Sequence, residues 1–226
     1  MLRELIDKFY LEQERNRERF HFYVTDAGKC ERAVFFKFKN LPEKRLDARI
    51  LRVFEQGDYF HRTLTNTLIR LGIVVAAEIK IPPQEMISGR ADAILSIDSE
   101  LFVLDIKSIN SMSFRKLEQP KEENIYQIQL YLHYFNIKKG ILLYVDKDRQ
   151  ELREFVIKYN LNLCKKLLIN FKSLQNKINS NIIPSIISDY PRNWQCRYCP
   201  FRSICKIAGK KEMKWQDFKE KIKKED

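Results

Sequence analysis

The chain has 226 residues, of which 44% are apolar and 32% charged, with only six glycines and seven prolines. That composition supports a hydrophobic core and excludes fibrous, low-complexity and disordered classes. No run approaches 18 apolar residues, so no membrane span is expected, and a formal charge of +12 points to a polyanion such as nucleic acid unless the lysines simply dress a solvated surface.

The N-terminal stretch MLRELIDKFYLEQERNRERF is charged throughout and lacks the apolar centre of a signal peptide, so a cytoplasmic protein is expected. Leu2, Leu5, Ile6, Phe9 and Tyr10 recur at helical spacing and predict a helix over 2–19. A short helix is expected to start after Thr25 or Asp26, both good N-caps, and to run through Cys30 to about Phe38. Pro42 and the charged stretch to Asp47 end it. A long helix is predicted over 49–71, stopped by Gly72. Its apolar stripe is Ile50, Val53, Gly57, Phe60, Leu64, Leu68 and Leu71, with His61 beside it.

Strands are predicted over 73–81, 87–97 and 101–108, the first pair punctuated by Pro82 and Pro83 and the second joined by a tight turn at Asp98, Ser99 and Glu100. A polar stretch from 110 to 124 holds Arg115, Lys116 and Lys121. A helix over about 122–136, strands over 140–145 and 152–159, and a helix over 161–178 follow. Residues 180–195 read as loop, with Pro184 and Pro191, and the Lys-rich segment after Cys205 as a solvated helix. Helix, three strands, helix and strand in that order predict an α/β fold, a mixed sheet flanked by helices, in one domain over 1–226 with its core at about 49–160.

The chemistry concentrates in LFVLDIKSI at 101–109. Residues i and i+2 of a strand share a face, so Asp105 and Lys107 project together from an apolar strand, where lone charges are costly. Counting back from the turn puts Asp92 of GRADAI next to Asp105 on the adjacent strand. Two close carboxylates call for a cation between them, and a hard divalent ion suits oxygen ligands. His61 offers a third ligand that manganese accepts better than magnesium. Lys107 then stands where it can hold an attacking water or stabilise charge on a phosphate. Gln127 and Tyr131, four apart on one helix face, are placed to support it. Each residue alone has a plainer reading: a core histidine, an Arg90–Asp92 salt bridge, a solvated strand end, interfacial packing.

Five cysteines occur, at 30, 164, 196, 199 and 205. Cys164 sits in an apolar helical pattern and reads as core. The run CRYCPFRSIC has the spacing C-x2-C-x5-C, three corners of a metal site, with Cys30 the natural fourth. Spacing leaves zinc and an iron–sulfur cluster both open. Phe35, Phe36 and Phe38 are open to base stacking and to core packing alike.

The order GxxxH (Gly57 to His61), GRAD (Asp92), DIK (Asp105, Lys107) and QIQLY (Gln127 to Tyr131) resembles the RecB-like branch of the PD-(D/E)xK nucleases over about 49–145. That resemblance implies a restriction-endonuclease-like fold with His61, Asp92, Asp105 and the carbonyl of Ile106 holding Mn2+ or Mg2+. It makes Lys107 the catalytic lysine, supported by Gln127 and Tyr131. Asp105 stands where many members have Glu, and Ala91 where the superfamily's eponymous proline would be. One cysteine before the core and three after it resembles the iron–sulfur members, the CRISPR-associated Cas-four exonucleases above all. This implies a cluster, 4Fe-4S favoured, on Cys30, Cys196, Cys199 and Cys205, joining segments at about 20–40 and 180–210. The implied function is exonucleolytic trimming of single-stranded DNA ends in CRISPR spacer acquisition beside integrase proteins. A phage or mobile-element recombination nuclease, or a non-catalytic DNA-binding partner of an integrase complex, are the competing expectations.

Overall fold

A computed structural model describes residues 1–13, 19–43, 46–82 and 86–224. In chain order its elements begin with α1 (Leu2–Gln13), β1 (Phe22–Tyr23), a 3-10 turn (Val24–Asp26), α2 (Glu31–Phe38) and α3 (Ala48–Arg70). There follow β2 (Val74–Lys80), β3 (Ile87–Ser88), β4 (Arg90–Ile97), β5 (Glu100–Ile109), α4 (Ser111–Arg115), α5 (Glu122–Tyr134), β6 (Lys139–Asp146) and β7 (Leu152–Lys158). The remainder is α6 (Leu161–Asn179), β8 (Ile182–Ile183), α7 (Trp194–Arg197), α8 (Arg202–Cys205), β9 (Met213–Lys214) and α9 (Trp215–Ile222). No helix among the described residues is long and apolar enough to cross a membrane.

These elements form two compact units. The first comprises Met1–Arg15, Tyr23–Thr25 and Leu46–Lys165; the second comprises Asn16–Phe22, Asp26–Arg45 and Lys166–Asp226. The sequence segments expected to form the nuclease core fall in the first unit, and all four candidate cluster cysteines fall in the second.

Unit 1 is built on a five-stranded mixed sheet in the order β2-β4-β5-β6-β7. Only the β5/β6 pair is parallel, and α4 and α5 make the crossover between them. Asp98 and Ser99 adopt positive φ, 50° and 63°, the backbone of a two-residue hairpin turn whose twist matches the strands. That turn pairs Ile97 with Glu100 and carries the register to Ala93 opposite Leu104. Asp92 and Asp105 each lie one residue beyond that last pair. A one-residue slip would put them on opposite faces.

The strand β5 is buried on both faces. Leu104 and Ile106 join Phe60, Ala93, Leu95, Ile141 and Val145 in a core that Leu64 and Leu68 of α3 also pack against. Asp105 and Lys107 therefore take the other face, toward α5. That helix lies close on the sheet because Gly140 has no side chain: a Cβ there would come within 2.6 Å of Ile128 Cδ1. The α3 stripe is buried only around Phe60, while Val53 and Leu71 at its ends are exposed.

Several expectations are corrected. The first helix is described only to Gln13, and 14–18 lie outside the described residues, as does Pro83. The second helix does not contain Cys30. Gly28 at φ 73° breaks the chain, and Cys30 is the N-cap of α2. The polar stretch after β5 holds a helix, α4, capped by the Asn110 side chain, which accepts the Ser113 N–H at 2.9 Å.

In unit 2 the tail does form a largely solvated helix, α9, but it is anchored rather than free. Ile182 and Ile183 pair with Lys214 and Met213, and α9 buries Phe218 against Phe36, rings stacked at 5.4 Å. Phe35 packs edge-on to Trp215. Phe35 and Phe36 are fully buried, so neither offers a face to a base, and Phe38 is half-buried against Phe22. Cys164, in unit 1, is core as expected.

Candidate active site

His61, Asp92, Asp105, Ile106, Lys107, Gln127 and Tyr131 come together in unit 1 as two hydrogen-bonded groups joined through the β5 backbone, His61–Asp92–Ile106 and Asp105–Lys107–Gln127–Tyr131. Asp92 Oδ2 accepts the backbone N–H of Ile106 at 2.6 Å, and Asp92 Oδ1 lies 3.0 Å from His61 Nδ1. With Nδ1 carrying the proton in that contact, a neutral His61 keeps its Nε2 lone pair for a cation. Arg90 does not pair with Asp92. Its guanidinium meets Glu78 at 2.5 Å, which removes the plain salt-bridge reading of GRAD.

Lys107 Nζ donates to Asp105 Oδ1 and to Gln127 Oε1, both at 3.0 Å. Gln127 Nε2 donates toward Asp105 Oδ1 at 3.4 Å and Tyr131 Oη at 3.3 Å. The Tyr131 hydroxyl in turn donates to the Arg90 carbonyl at 2.7 Å. Each link fixes the next: strand β4 holds Tyr131, Tyr131 holds Gln127, and Gln127 aims Lys107.

Asp105 is 2% exposed. Lys107 Nζ lies 2.8 Å from its Oδ2, yet that oxygen forms no hydrogen bond and is buried. Burying a carboxylate is costly, and the ion pair with Lys107 offsets part of that cost. Burial pushes the Asp105 pKa up, Lys107 opposes this, and the charge of Asp92 adds to the rise. Burial pulls His61 down, but the hydrogen bond and charge of Asp92 outweigh it and leave the imidazole easier to protonate than usual. Burial, with the charge of Asp105 behind it, holds the Tyr131 phenol protonated, so it acts as a donor.

Among the described residues no group of three or more His, Cys, Asp or Glu side chains has the geometry to hold a metal ion. The chemistry of the donors nonetheless fits a hard divalent cation: two carboxylates on neighbouring strands and an imidazole nitrogen.

Two neighbouring residues went unread in the sequence. Gln129, two places from Gln127, donates to the Lys158 carbonyl and accepts the Asn160 N–H, both at 2.8 Å, and so locks the β7–α6 connection. Asp146 is buried and accepts from Ser111 Oγ at 2.7 Å and from the Asp148 N–H at 2.9 Å. The DIK and QIQLY spacings carry no signal for either.

A sequence model of the PD-(D/E)XK nuclease superfamily matches residues 5–206. The chain belongs to that superfamily. It is a nuclease, and members of the superfamily use divalent metal ions. The CRISPR-associated exonuclease Cas4 of Saccharolobus solfataricus is 29% identical to it over 217 residues, 91% of this chain and 98% of that protein. The crystal structure of SSO0001 superposes with a TM-score of 0.58 at 27% identity, covering 91% of this chain and 96% of the other. An alkaline exonuclease (LHK-Exo) from Laribacter hongkongensis shares the fold, with a TM-score of 0.54 at 13% identity over 78% of this chain and 92% of its own.

The candidate cluster residues of unit 2 are within electrostatic reach of one another, although among the described residues no three of them have the geometry to hold a metal ion. The charges of Cys30 and Cys205 both act on Cys196, and those of Cys30, Cys205 and Cys196 on Cys199; burial is the larger cause, and it raises both thiols. Gln195 ties the two cysteine segments together, its Oε1 accepting the Cys30 N–H at 2.8 Å and its Nε2 donating to the Gly28 carbonyl at 3.0 Å.

Arg32 is fully buried. It donates to the carbonyls of Pro184 (2.7 Å), Gly209 (2.7 Å), Lys211 (3.1 Å) and Cys205 (3.3 Å), and its Nη1 lies 3.7 Å from Cys205 Sγ. Among the described residues no carboxylate pairs with it. The Tyr190 hydroxyl is also buried without a partner; burial, then the charges of Cys205 and Cys196, raise its pKa. A buried cation without an acid and an unmet O–H beside thiols fit an anionic thiolate centre.

Proposed function

We propose that this chain is a metal-dependent deoxyribonuclease that trims single-stranded DNA ends and acts in CRISPR spacer acquisition together with integrase proteins. The observation that carries the catalytic part is the ion pair of buried Asp105 with half-buried Lys107, beside Asp92, which is fixed on the neighbouring strand by the Ile106 N–H. The similarity to the Cas4 exonuclease supports the biological setting.

His61, Asp92, Asp105 and the Ile106 carbonyl would hold Mn2+ or Mg2+. When bound, such an ion polarises a phosphoryl oxygen and lowers the pKa of a coordinated water. The residues do the rest. The Ile106 N–H and His61 fix the Asp92 carboxylate. Asp105 and Gln127 hold the Lys107 ammonium in place, so its remaining N–H can orient the attacking water or meet charge building on the phosphate. Tyr131 keeps Gln127 from turning away.

Cys30, Cys196, Cys199 and Cys205 are proposed to hold a 4Fe-4S cluster that organises unit 2. Thiolate ligation suits such a cluster, and the positions of Arg32 and Tyr190 support an anionic centre there.

The deciding experiment is cleavage of a 5′-labelled single strand by anaerobically purified protein with Mn2+. Wild type should cut, and Lys107→Ala should bind the strand with cutting lowered by at least about a hundredfold, within the range lost with one electrostatic stabiliser. If wild type binds but never cuts under Mn2+ or Mg2+, the chain is a DNA-holding partner and the catalytic reading is wrong. Colourless protein with stoichiometric zinc would refute the cluster.

A further inference from the structure

The net charge is divided very unevenly between the two units. Unit 1, with the candidate active site, has 20 Lys+Arg against 20 Asp+Glu and is neutral. Unit 2 has 22 Lys+Arg against 10 Asp+Glu and so carries all of the +12. The nuclease core thus supplies none of the net attraction for a polyanion.

Within unit 2 the charge gathers around the cysteines. From 190 to 211 there are six basic residues and no acid. Arg192, Arg197, Arg202 and Lys206 are exposed, and none of them forms an ion pair among the described residues. They face solvent, whereas the charge nearest the Cys205 sulfur is the buried Arg32. Interleaved with them are two exposed aromatics. Trp194 on α7 is 54% exposed, with Lys29 Nζ 5.3 Å from its ring centroid, and Tyr198 is 87% exposed. Surface aromatics among unpaired cations match what a single strand needs: cations along the phosphates and flat faces for unpaired bases. A duplex keeps its bases stacked internally and has no use for such rings.

We infer that the strip formed by Arg192, Trp194, Arg197, Tyr198, Arg202 and Lys206 is the single-strand binding surface of this protein, with Trp194 and Tyr198 stacking on bases. The inference rests on the reading of the chain as a nuclease of single-stranded DNA. It assigns strand capture to the cysteine-bearing unit and cutting to the neutral one. The cysteines thereby gain a purpose in binding: whatever they hold fixes the loop that displays the two rings.

The test is fluorescence anisotropy of a labelled oligo(dT) strand, with full-length protein in the Lys107→Ala background and no added divalent ion. Trp194→Ala and Tyr198→Ala should each weaken binding by about 5- to 150-fold, the value of one base–aromatic stack, while Tyr198→Phe should bind as the parent does. Replacing Arg192, Arg197 and Arg202 by Gln should lower the slope of log K against log salt by about 2, at roughly 0.7 per phosphate on single strands. Iron content and thermal melting of each variant guard against collapse of the loop, and Trp194→Ala and the arginine set stand in if Tyr198→Ala disturbs Cys199. Unchanged affinity and slope in folded variants would overturn the strip. So would a duplex that binds as tightly as the single strand and is indifferent to both rings. Because binding is read without cleavage, a wild type that fails to cut sinks the nuclease reading and leaves this result separate.

Discussion

Asp92 is held from two sides, by the Ile106 N–H at one carboxylate oxygen and by His61 Nδ1 at the other. The backbone of β5 and a side chain of α3 therefore meet through one carboxylate. This makes a titration prediction with a defined sign. Asp92 raises the His61 pKa against the pull of burial. In metal-free protein the His61 imidazole, followed by NMR, should titrate above its ordinary 6.5. In Asp92→Asn burial and Lys107 still lower it and only the weaker pull of Asp105 raises it, so the midpoint should fall below 6.5. By linkage the charged pair stabilises the wild type fully below 6.5, and this contribution is lost as pH rises through the raised value. A wild-type midpoint at or below that of Asp92→Asn would show that the contact does not form in solution.

The Tyr131 hydroxyl donates to the Arg90 carbonyl and takes the weaker bond from Gln127. Tyr131→Phe leaves the part-buried Arg90 carbonyl without its donor, which costs about 0.5–1.5 kcal/mol in unfolding free energy by denaturant titration. Gln127 also loses a support, so cutting should drop more than the melting shift explains. A variant that melts early but cuts at the wild-type rate would reduce Tyr131 to packing.

The site was legible because its residues lie on two strands joined by a short turn. Once the turn at Asp98–Ser99 was placed, strand alternation decided that Asp92, Asp105 and Lys107 share a region. The Gln127–Tyr131 pair followed from helical spacing in the same way. What the sequence hid depends on distant backbone. Arg32 looks like any surface arginine on a short helix, and only the fold brings the carbonyls of Pro184, Gly209 and Lys211 around it. Phe35 and Phe36 look equally fit for base stacking and for core packing in the sequence, and only the packing of Trp215 and Phe218 against them decides for the core. The anchoring of the tail helix is hidden for the same reason: its apolar anchors Trp215 and Phe218 are few, and the lysines around them dominate the local composition. The charge partition needed unit boundaries that cut the sequence into interleaved pieces.

Gly140 tests how closely α5 must lie on the sheet. A Cβ there would sit 2.6 and 2.9 Å from Ile128 atoms and 3.1 Å from the Val103 carbonyl, and Ile128 is fully buried with no room to retreat. Gly140→Ala should cost about 1–3 kcal/mol by overpacking. It should also shift α5, on which Gln127 rides, and so loosen the grip on Lys107. Denaturant melts and cutting rate should fall together, and a second change, Ile128→Val, should restore part of both. No rescue would mean that α5 has other room to move.

Asp105 occupies the place where a longer acid would be expected from the resemblance to RecB-like nucleases. The structure explains why Asp suits this chain. Oδ1 already accepts from both Lys107 and Gln127, and the residue is 2% exposed. Lengthening it by one methylene would drive the carboxylate into Lys107 or Gln127, since both are fixed by the same network. Asp105→Glu should therefore lose about 1–3 kcal/mol of stability and cut more slowly with Mn2+, even though the resemblance to RecB-like nucleases would lead one to expect glutamate there. Asp105→Asn should abolish Mn2+-dependent cutting while keeping the side-chain volume, which separates the need for charge from the need for shape. A Glu variant that cuts faster than wild type would mean that Gln127 and Lys107 are free to move, and that the hydrogen bonds between them do not set the position of the lysine.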